Sequence, residues 1–259
     1  MTSRDSAPVG APCWTHLWTS DVPGSREFYA GLFGWRAEPP NPEFGGYFMF
    51  TRDGVPVAGA MGGMPGAAAD DRWQVFLATD DIERTVRDAA AGGADVAAPP
   101  MAVADLGVQA VLTDPTGAPV GAWQPGTFPG FTVLGEPGTP AWFELHTRDH
   151  GRAVTFYREA FRWETQAVGD TDDFRYTVML DPGGGESLAG IFDARRVLAE
   201  GEPSGWSVYW TVADADAAVA RVTSLGGSVA APPEDTPYGR MATVADPAGA
   251  PFRLHQVRE

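Results

Sequence analysis

Apolar and polar positions along this chain follow two rhythms, and the order of the rhythms occurs twice. Alternation with period two at Trp14–Thr19 predicts a strand. The strand runs into Asp21, which reads as a helix N-cap with Pro23 in the first turn. Phe28, Leu32 and Phe33 then recur at helical spacing. Short strands are predicted around Tyr47–Thr51 and Val55–Met61, and another at Trp73–Thr79. A helix over Ile82–Ala91 is stopped by Gly92. A short strand is expected near Ala98. Strands around Val108–Leu112 and Pro119–Trp123 close the series, joined by an Asp-Pro-x-Gly turn at Asp114.

The second half repeats this order. Trp14-Thr15-His16-Leu17-Trp18-Thr19-Ser20-Asp21 is answered by Trp142-Phe143-Glu144-Leu145-His146-Thr147-Arg148-Asp149, at an offset of 128. Phe28-Tyr29, Phe33 and Trp35 recur as Phe156-Tyr157, Phe161 and Trp163. Trp73 is answered by Trp206, Gly92-Gly93 by Gly226-Gly227, and the turn at Asp114 by the turn at Asp246. Two homologous α+β domains are therefore expected, over 13–125 and 140–259, joined by a Gly- and Pro-rich linker over 126–139. Residues 1–12 are expected to be disordered.

Strand phase sorts side chains onto two faces. Leu17 and Leu145 suit the face beneath a helix, with Val120, Ala122, Phe252 and Leu254 from the last strands. The opposite phase carries Trp14, His16 and Trp18 in one half, and Trp142, Glu144 and His146 in the other. It also carries Trp123 in the first half, and Arg253 and His255 in the second. These groups do not belong in an apolar core, so this phase is expected to line a concave cup in each domain. Trp73, Trp206, Trp210 and Tyr238 are expected to contribute to the same cups.

Composition narrows the chemistry. With 18 basic and 34 acidic side chains the net charge is −16, which argues against nucleic acid and against an anionic membrane surface. Every basic residue is arginine, so lysine Schiff-base chemistry is excluded. Abundant Ala, Gly and Pro beside this arginine-only usage fits a GC-rich bacterial genome. The single cysteine, Cys13, permits no internal disulfide, and it has no histidine in phase to activate it. No signal peptide or membrane-length apolar run is present, so a cytoplasmic location is expected. His150, beside Asp149 at a helix start, reads as a surface residue.

The pattern W-x-x-L-x-T-x-D, followed by F-Y and F-x-W and closed by D-P-x-G, resembles the vicinal oxygen chelate superfamily. That superfamily includes glyoxalase I, bleomycin-resistance proteins and extradiol dioxygenases. The resemblance spans both halves and is similar to two-domain bacterial proteins of hydroxylase or glyoxalase-like label. It implies tandem domains, each built of two βαβββ units that form a cupped mixed sheet with helices on the convex face. It also implies a divalent metal held by His and Glu near the first strand, the strand opening the second unit and the last strand. The positions matched to these ligands hold Trp14, Trp73 and Gly121 in the first half, and Trp142, Trp206 and Arg253 in the second. The usual metal site is therefore expected to be missing, and no cofactor is expected.

Three readings follow. In the first, the chain is an enzyme of isomerase, lyase or cyclase type. Glu144, His146, Arg253 and His255 act in the second cup on a small oxygenated metabolite. In the second, it is a metal-free protein that binds an aromatic or carbonyl-bearing small molecule, with Trp14, His16, Trp18, Trp73 and Trp123 stacking on it and Trp142, Trp206, Trp210 and Tyr238 doing so in the other cup. In the third, Glu144, His146 and His255 hold a divalent metal in an off-register site. A monomer or a homodimer suits all three.

Overall fold

The computed structural model describes residues 2–63 and 70–257. The chain order is β1 (Thr2–Ser3), β2 (Pro12–Thr19), α1 (Val22–Phe33), β3 (Arg36–Ala37), β4 (Phe48–Arg52), β5 (Val55–Gly62), β6 (Arg72–Ala78), α2 (Ile82–Ala91), β7 (Asp95–Val103), β8 (Gly107–Thr113) and β9 (Pro119–Pro125). After β10 (Val133–Leu134) the series repeats. It runs through β11 (Pro140–Thr147), α3 (His150–Ala160), β12 (Glu164–Asp170), β13 (Arg175–Leu180), β14 (Ser187–Asp193), β15 (Gly205–Thr211), α4 (Ala215–Ser224), β16 (Ser228–Thr236), β17 (Gly239–Ala245) and β18 (Pro251–Gln256).

Each domain holds one eight-stranded mixed sheet, in the order β3-β4-β5-β2-β6-β9-β8-β7 and β12-β13-β14-β11-β15-β18-β17-β16. The first strand of each domain, β2 or β11, lies near the middle. It pairs parallel with β5 or β14 and antiparallel with β6 or β15. Among the described residues, aspartates cap the four α-helices. Asp21, Asp81, Asp149 and Asp214 accept from the backbone N–H of Gly24, Arg84, Arg152 and Ala217. Such a cap is worth about 1 kcal/mol.

The helix-bearing faces of the two sheets meet in one shared core. Trp73 on β6 and Trp210 on β15 lie 5.2 Å apart, and Trp35 packs on both. Tyr29 of α1 donates to Asp246 (3.1 Å), and Tyr157 of α3 donates to Asp114 (2.9 Å). Both aspartates use their other oxygen to fold their own turn, which accepts from Thr116 and Ala118 N–H in one domain and from Ala248, Gly249 and Ala250 N–H in the other. Each domain thus closes the last turn of its partner. Trp35 donates to the Gly138 carbonyl and Trp163 to that of Gly10, which fixes the segment leading into the other domain's first strand. Gly10 has φ +83, and a Cβ there would lie 2.5 Å from the Phe161 carbonyl oxygen, so only glycine fits.

Of the N-terminal segment expected to be disordered, the described residues 2–12 make contacts with the rest of the fold. β1 pairs antiparallel with β10 of the linker, and the Arg4 side chain donates to the carbonyls of Phe131 and Pro12. The linker is also packed, with Phe131 buried against Trp14 and Phe143. Among the described residues no helix is long and apolar enough to cross a membrane.

Tyr157→Phe removes the bond to Asp114 and leaves the Trp206 indole N–H, which donates to the Tyr157 hydroxyl at 3.0 Å, without its acceptor. Urea denaturation should show a loss of about 1–3 kcal/mol. A loss below a few tenths would mean that the inter-domain clasp contributes nothing to stability.

Candidate functional site

The outward face of the second sheet carries a buried acid–base cluster. Glu144 and His146 stand two residues apart on β11, so both side chains leave the same face. His146 Nε2 lies 2.7 Å from Glu144 Oε1. The Tyr209 hydroxyl from β15 donates to the same oxygen at 2.7 Å, and the Tyr176 hydroxyl from β13 donates to Oε2 at 2.6 Å. Trp142 completes the chain by donating its indole N–H to the Tyr176 oxygen at 3.0 Å.

Tyr176 reaches Glu144 only because residue 190 on the intervening strand β14 is glycine. A Cβ there would lie 2.0 Å from the tyrosine oxygen. Burial pushes the Glu144 carboxyl up, but His146 and the two tyrosine hydroxyls outweigh it and hold the group below the ordinary carboxylate range. Burial and the neighbouring Glu144 push both tyrosines well above the usual phenol range. They are therefore fixed donors. No group among the described residues bonds His146 Nδ1.

Arg253 is not the partner of Glu144. Its guanidinium lies over the Tyr209 ring at 5.3 Å, no carboxylate among the described residues pairs with it, and its buried Nε has no acceptor. His255 sits at the rim, its Nε2 2.9 Å from the Tyr238 carbonyl.

The first domain reuses the scaffold with different side chains. Tyr47 lies across Gly59 and accepts from Trp14 at 2.9 Å, as Tyr176 lies across Gly190 and accepts from Trp142. His16 replaces Glu144, Trp18 replaces His146 and Phe76 replaces Tyr209. His16 is packed among Phe76 (4.9 Å), Trp18 (5.1 Å) and Tyr47 (6.0 Å). Burial, with the Arg72 charge adding to it, pushes its pKa down to about 3. Buried nitrogens without partners gather here: His16 Nε2, Gln74 Nε2, Trp18 Nε1 and Arg72 Nε. Leaving one such group unsatisfied costs about 1–3 kcal/mol. The linker reaches the rim of this cup, where Phe128 packs on Trp14 and accepts from the Trp123 indole with its carbonyl.

Three tryptophans expected in the cups lie on the other face. Trp73 opposes Leu17 and Trp206 opposes Leu145, and directly opposed residues of an antiparallel pair share a face. Both therefore point toward the helices, and Trp206 bonds Tyr157 there. Trp210 is fully buried in the same core. Tyr238 is 65% exposed on the β16–β17 hairpin and offers only its backbone carbonyl to the site. His150, expected at the surface, is half-buried at the start of α3. Tyr176, Tyr209 and Gly190 were not singled out by sequence reasoning. The Tyr–Gly pairing that recurs as Tyr47–Gly59 and Tyr176–Gly190 carried the signal.

The expected metal-ligand matches at Trp73 and Trp206 point away from the cup. The cup-facing positions of those strands hold Gln74 and Phe76, or Ser207 and Tyr209. Both Glu144 oxygens are taken by protein donors, and His255 is turned to Tyr238. Among the described residues no three His, Cys, Asp or Glu side chains converge as a metal site. The donor set does not fit the off-register metal.

Residues 139–254 match the model of the glyoxalase/bleomycin resistance protein/dioxygenase superfamily, and residues 15–121 match that of the glyoxalase-like domain. The chain is 37% identical over 267 residues to the anthracycline biosynthesis protein DauV of Streptomyces sp. strain C5, covering 96% of this chain and 94% of DauV. It is 35% identical to CFP32 of Mycobacterium tuberculosis, provisionally named a glyoxylase, covering 98% and 97%. The fold resembles that of the Mn(II)-bound glyoxalase of Novosphingobium aromaticivorans, with a TM-score of 0.67 at 16% identity over 96% of this chain and 82% of that one.

His16 makes stability depend on pH. Folded, it stays neutral down to about pH 3, whereas unfolded it takes a proton near 6.5. The unfolded chain therefore binds the extra proton as pH falls between these values, and stability drops by up to about 1.4 kcal/mol per unit. Urea midpoints measured from about pH 7 to about pH 4 should fall less steeply in His16→Leu than in the parent. Identical slopes would show that the imidazole titrates alike in both states.

Proposed function

The chain belongs to the glyoxalase/bleomycin resistance protein/dioxygenase superfamily, and we propose that it is an enzyme that moves protons on an oxygen-bearing aromatic metabolite in the second-domain cup. The observation that carries this reading is the Glu144–His146 pair clamped by two tyrosine hydroxyls. Three donors make Glu144 a weak base but a good anchor. It accepts the Nε2–H of His146, which sets the tautomer and leaves a lone pair on Nδ1. His146 Nδ1 takes a proton from a carbon or hydroxyl next to a substrate carbonyl. The imidazolium that forms is stabilised by the Glu144 carboxylate, and the enolate or phenolate oxygen by the unpaired Arg253 guanidinium. Returning the proton to a different atom completes an isomerisation, and loss of a neighbouring leaving group completes an elimination. The name of DauV supports the substrate class, because anthracyclines are fused aromatic rings bearing hydroxyl and carbonyl oxygens. A cytoplasmic setting is part of this proposal.

Anthrone provides a probe, since its methylene bridge is a carbon acid beside a ketone-bearing ring system. The protein should accelerate exchange of that methylene into D2O, followed by NMR. His146→Ala should slow the exchange at least about 100-fold, the scale of general base catalysis. Glu144→Gln should slow it while sparing binding, and Arg253→Leu should mainly raise KM. Exchange no faster than in buffer, or unchanged in His146→Ala, would sink the enzyme reading and leave binding without turnover.

A further inference from the structure

The first cup contains a set of hydrogen-bonding groups that the fold does not use. β2 and β6 place His16 directly opposite Gln74, and Trp18 opposite Arg72, so the four side chains leave one face as two adjacent rungs. His16 is 6% exposed and Gln74 1% exposed. The Gln74 carbonyl oxygen is taken by Arg72 Nη2 at 3.3 Å, which leaves its amide N–H group free. Trp18 and Arg72 face each other at 5.9 Å, each with a buried N–H that has no acceptor among the described residues. The corresponding rungs in the second domain, Glu144 with Ser207 and His146 with Gly205, show none of this. There the two central side chains satisfy each other. Native proteins rarely leave several buried nitrogens unpaired at one place unless something completes them.

We propose that the first cup is a second small-molecule site, separate from the acid–base cluster, which takes an uncharged planar aromatic compound bearing neighbouring carbonyl and hydroxyl oxygens. The Gln74 amide and the Trp18 indole donate to the carbonyl oxygen, and His16 Nε2 faces the hydroxyl. The surrounding Trp14, Tyr47 and Phe76 rings supply the flat apolar contact. Charge favours a neutral ligand. Arg72 is already paired with Asp70, and His16 is unprotonated at neutral pH. The second cup, with its unpaired Arg253, favours an anion instead. This inference does not rest on turnover in the second cup.

The test is equilibrium binding of 1,8-dihydroxyanthraquinone by tryptophan fluorescence quenching, with naphthalene as the oxygen-free control. The parent should bind the quinone and discriminate against naphthalene. Gln74→Leu should weaken quinone binding roughly fivefold to tenfold, the worth of one hydrogen bond. Trp18→Phe keeps an aromatic ring, removes the N–H and should act in the same direction. It stands in if Gln74→Leu does not fold. A merely structural role predicts that Gln74→Leu and Trp18→Phe alter the urea midpoint and leave binding unchanged, and that result would overturn the proposal. So would loss of binding in Arg253→Leu alone, which would locate the quinone in the second cup. Binding of neither compound would assign the free nitrogens to ordered water and equally overturn it.

Discussion

The structure depends on a reciprocal exchange between its halves. A tyrosine on the first helix of each domain hydrogen-bonds the aspartate that folds the last turn of the other, Tyr29 to Asp246 and Tyr157 to Asp114. That turn delivers β9 or β18, and with it the side chains at one wall of each cup. The tyrosines and aspartates are buried, so an unpaired member would carry a full desolvation penalty. Trp35 and Trp163 add a second pair of crossed bonds. Neither domain's final strand is therefore positioned by its own sequence alone. The shared helix-side core fixes both sheets, and their opposite faces carry the polar clusters.

On those faces one scaffold carries two electrostatic designs. The tyrosine that crosses a glycine and accepts from a tryptophan is common to both domains. What it meets differs. In the second domain it meets Glu144, whose charge is distributed over two hydroxyls and an imidazole. In the first it lies beside His16, which burial keeps neutral. A carboxylate can be buried here only because donors surround it. A histidine can be buried without donors because it discards its proton. The two cups thus remain compatible with one fold while offering a charged cluster and a neutral aromatic surface.

The sharing of Glu144 among three donors also decides roles. It turns the carboxylate into a fixed support, held by His146 and the two tyrosine hydroxyls. Arg253 remains free of Glu144 because Tyr209 stands between strand β18 and the carboxylate. A direct ion pair would have cancelled both charges.

Much of this was legible in the chain. The repeat, the aspartate caps, the strand and helix order and the phase of the first and last strands are local properties, written in turn residues and in periods of two and 3.6. They placed His16, Glu144, His146, Arg253 and His255 on the outward face. The tryptophans of β6 and β15 were misplaced because their face is decided by register against β2 and β11, a long-range pairing that aromatic character does not reveal. The same holds for Tyr176, which lies two strands away from Glu144 and reaches it only over Gly190. The sequence by itself determined which elements form and which side chains alternate on each strand. Only the tertiary structure decided which strands lie side by side, hence which buried polar groups find partners and which do not.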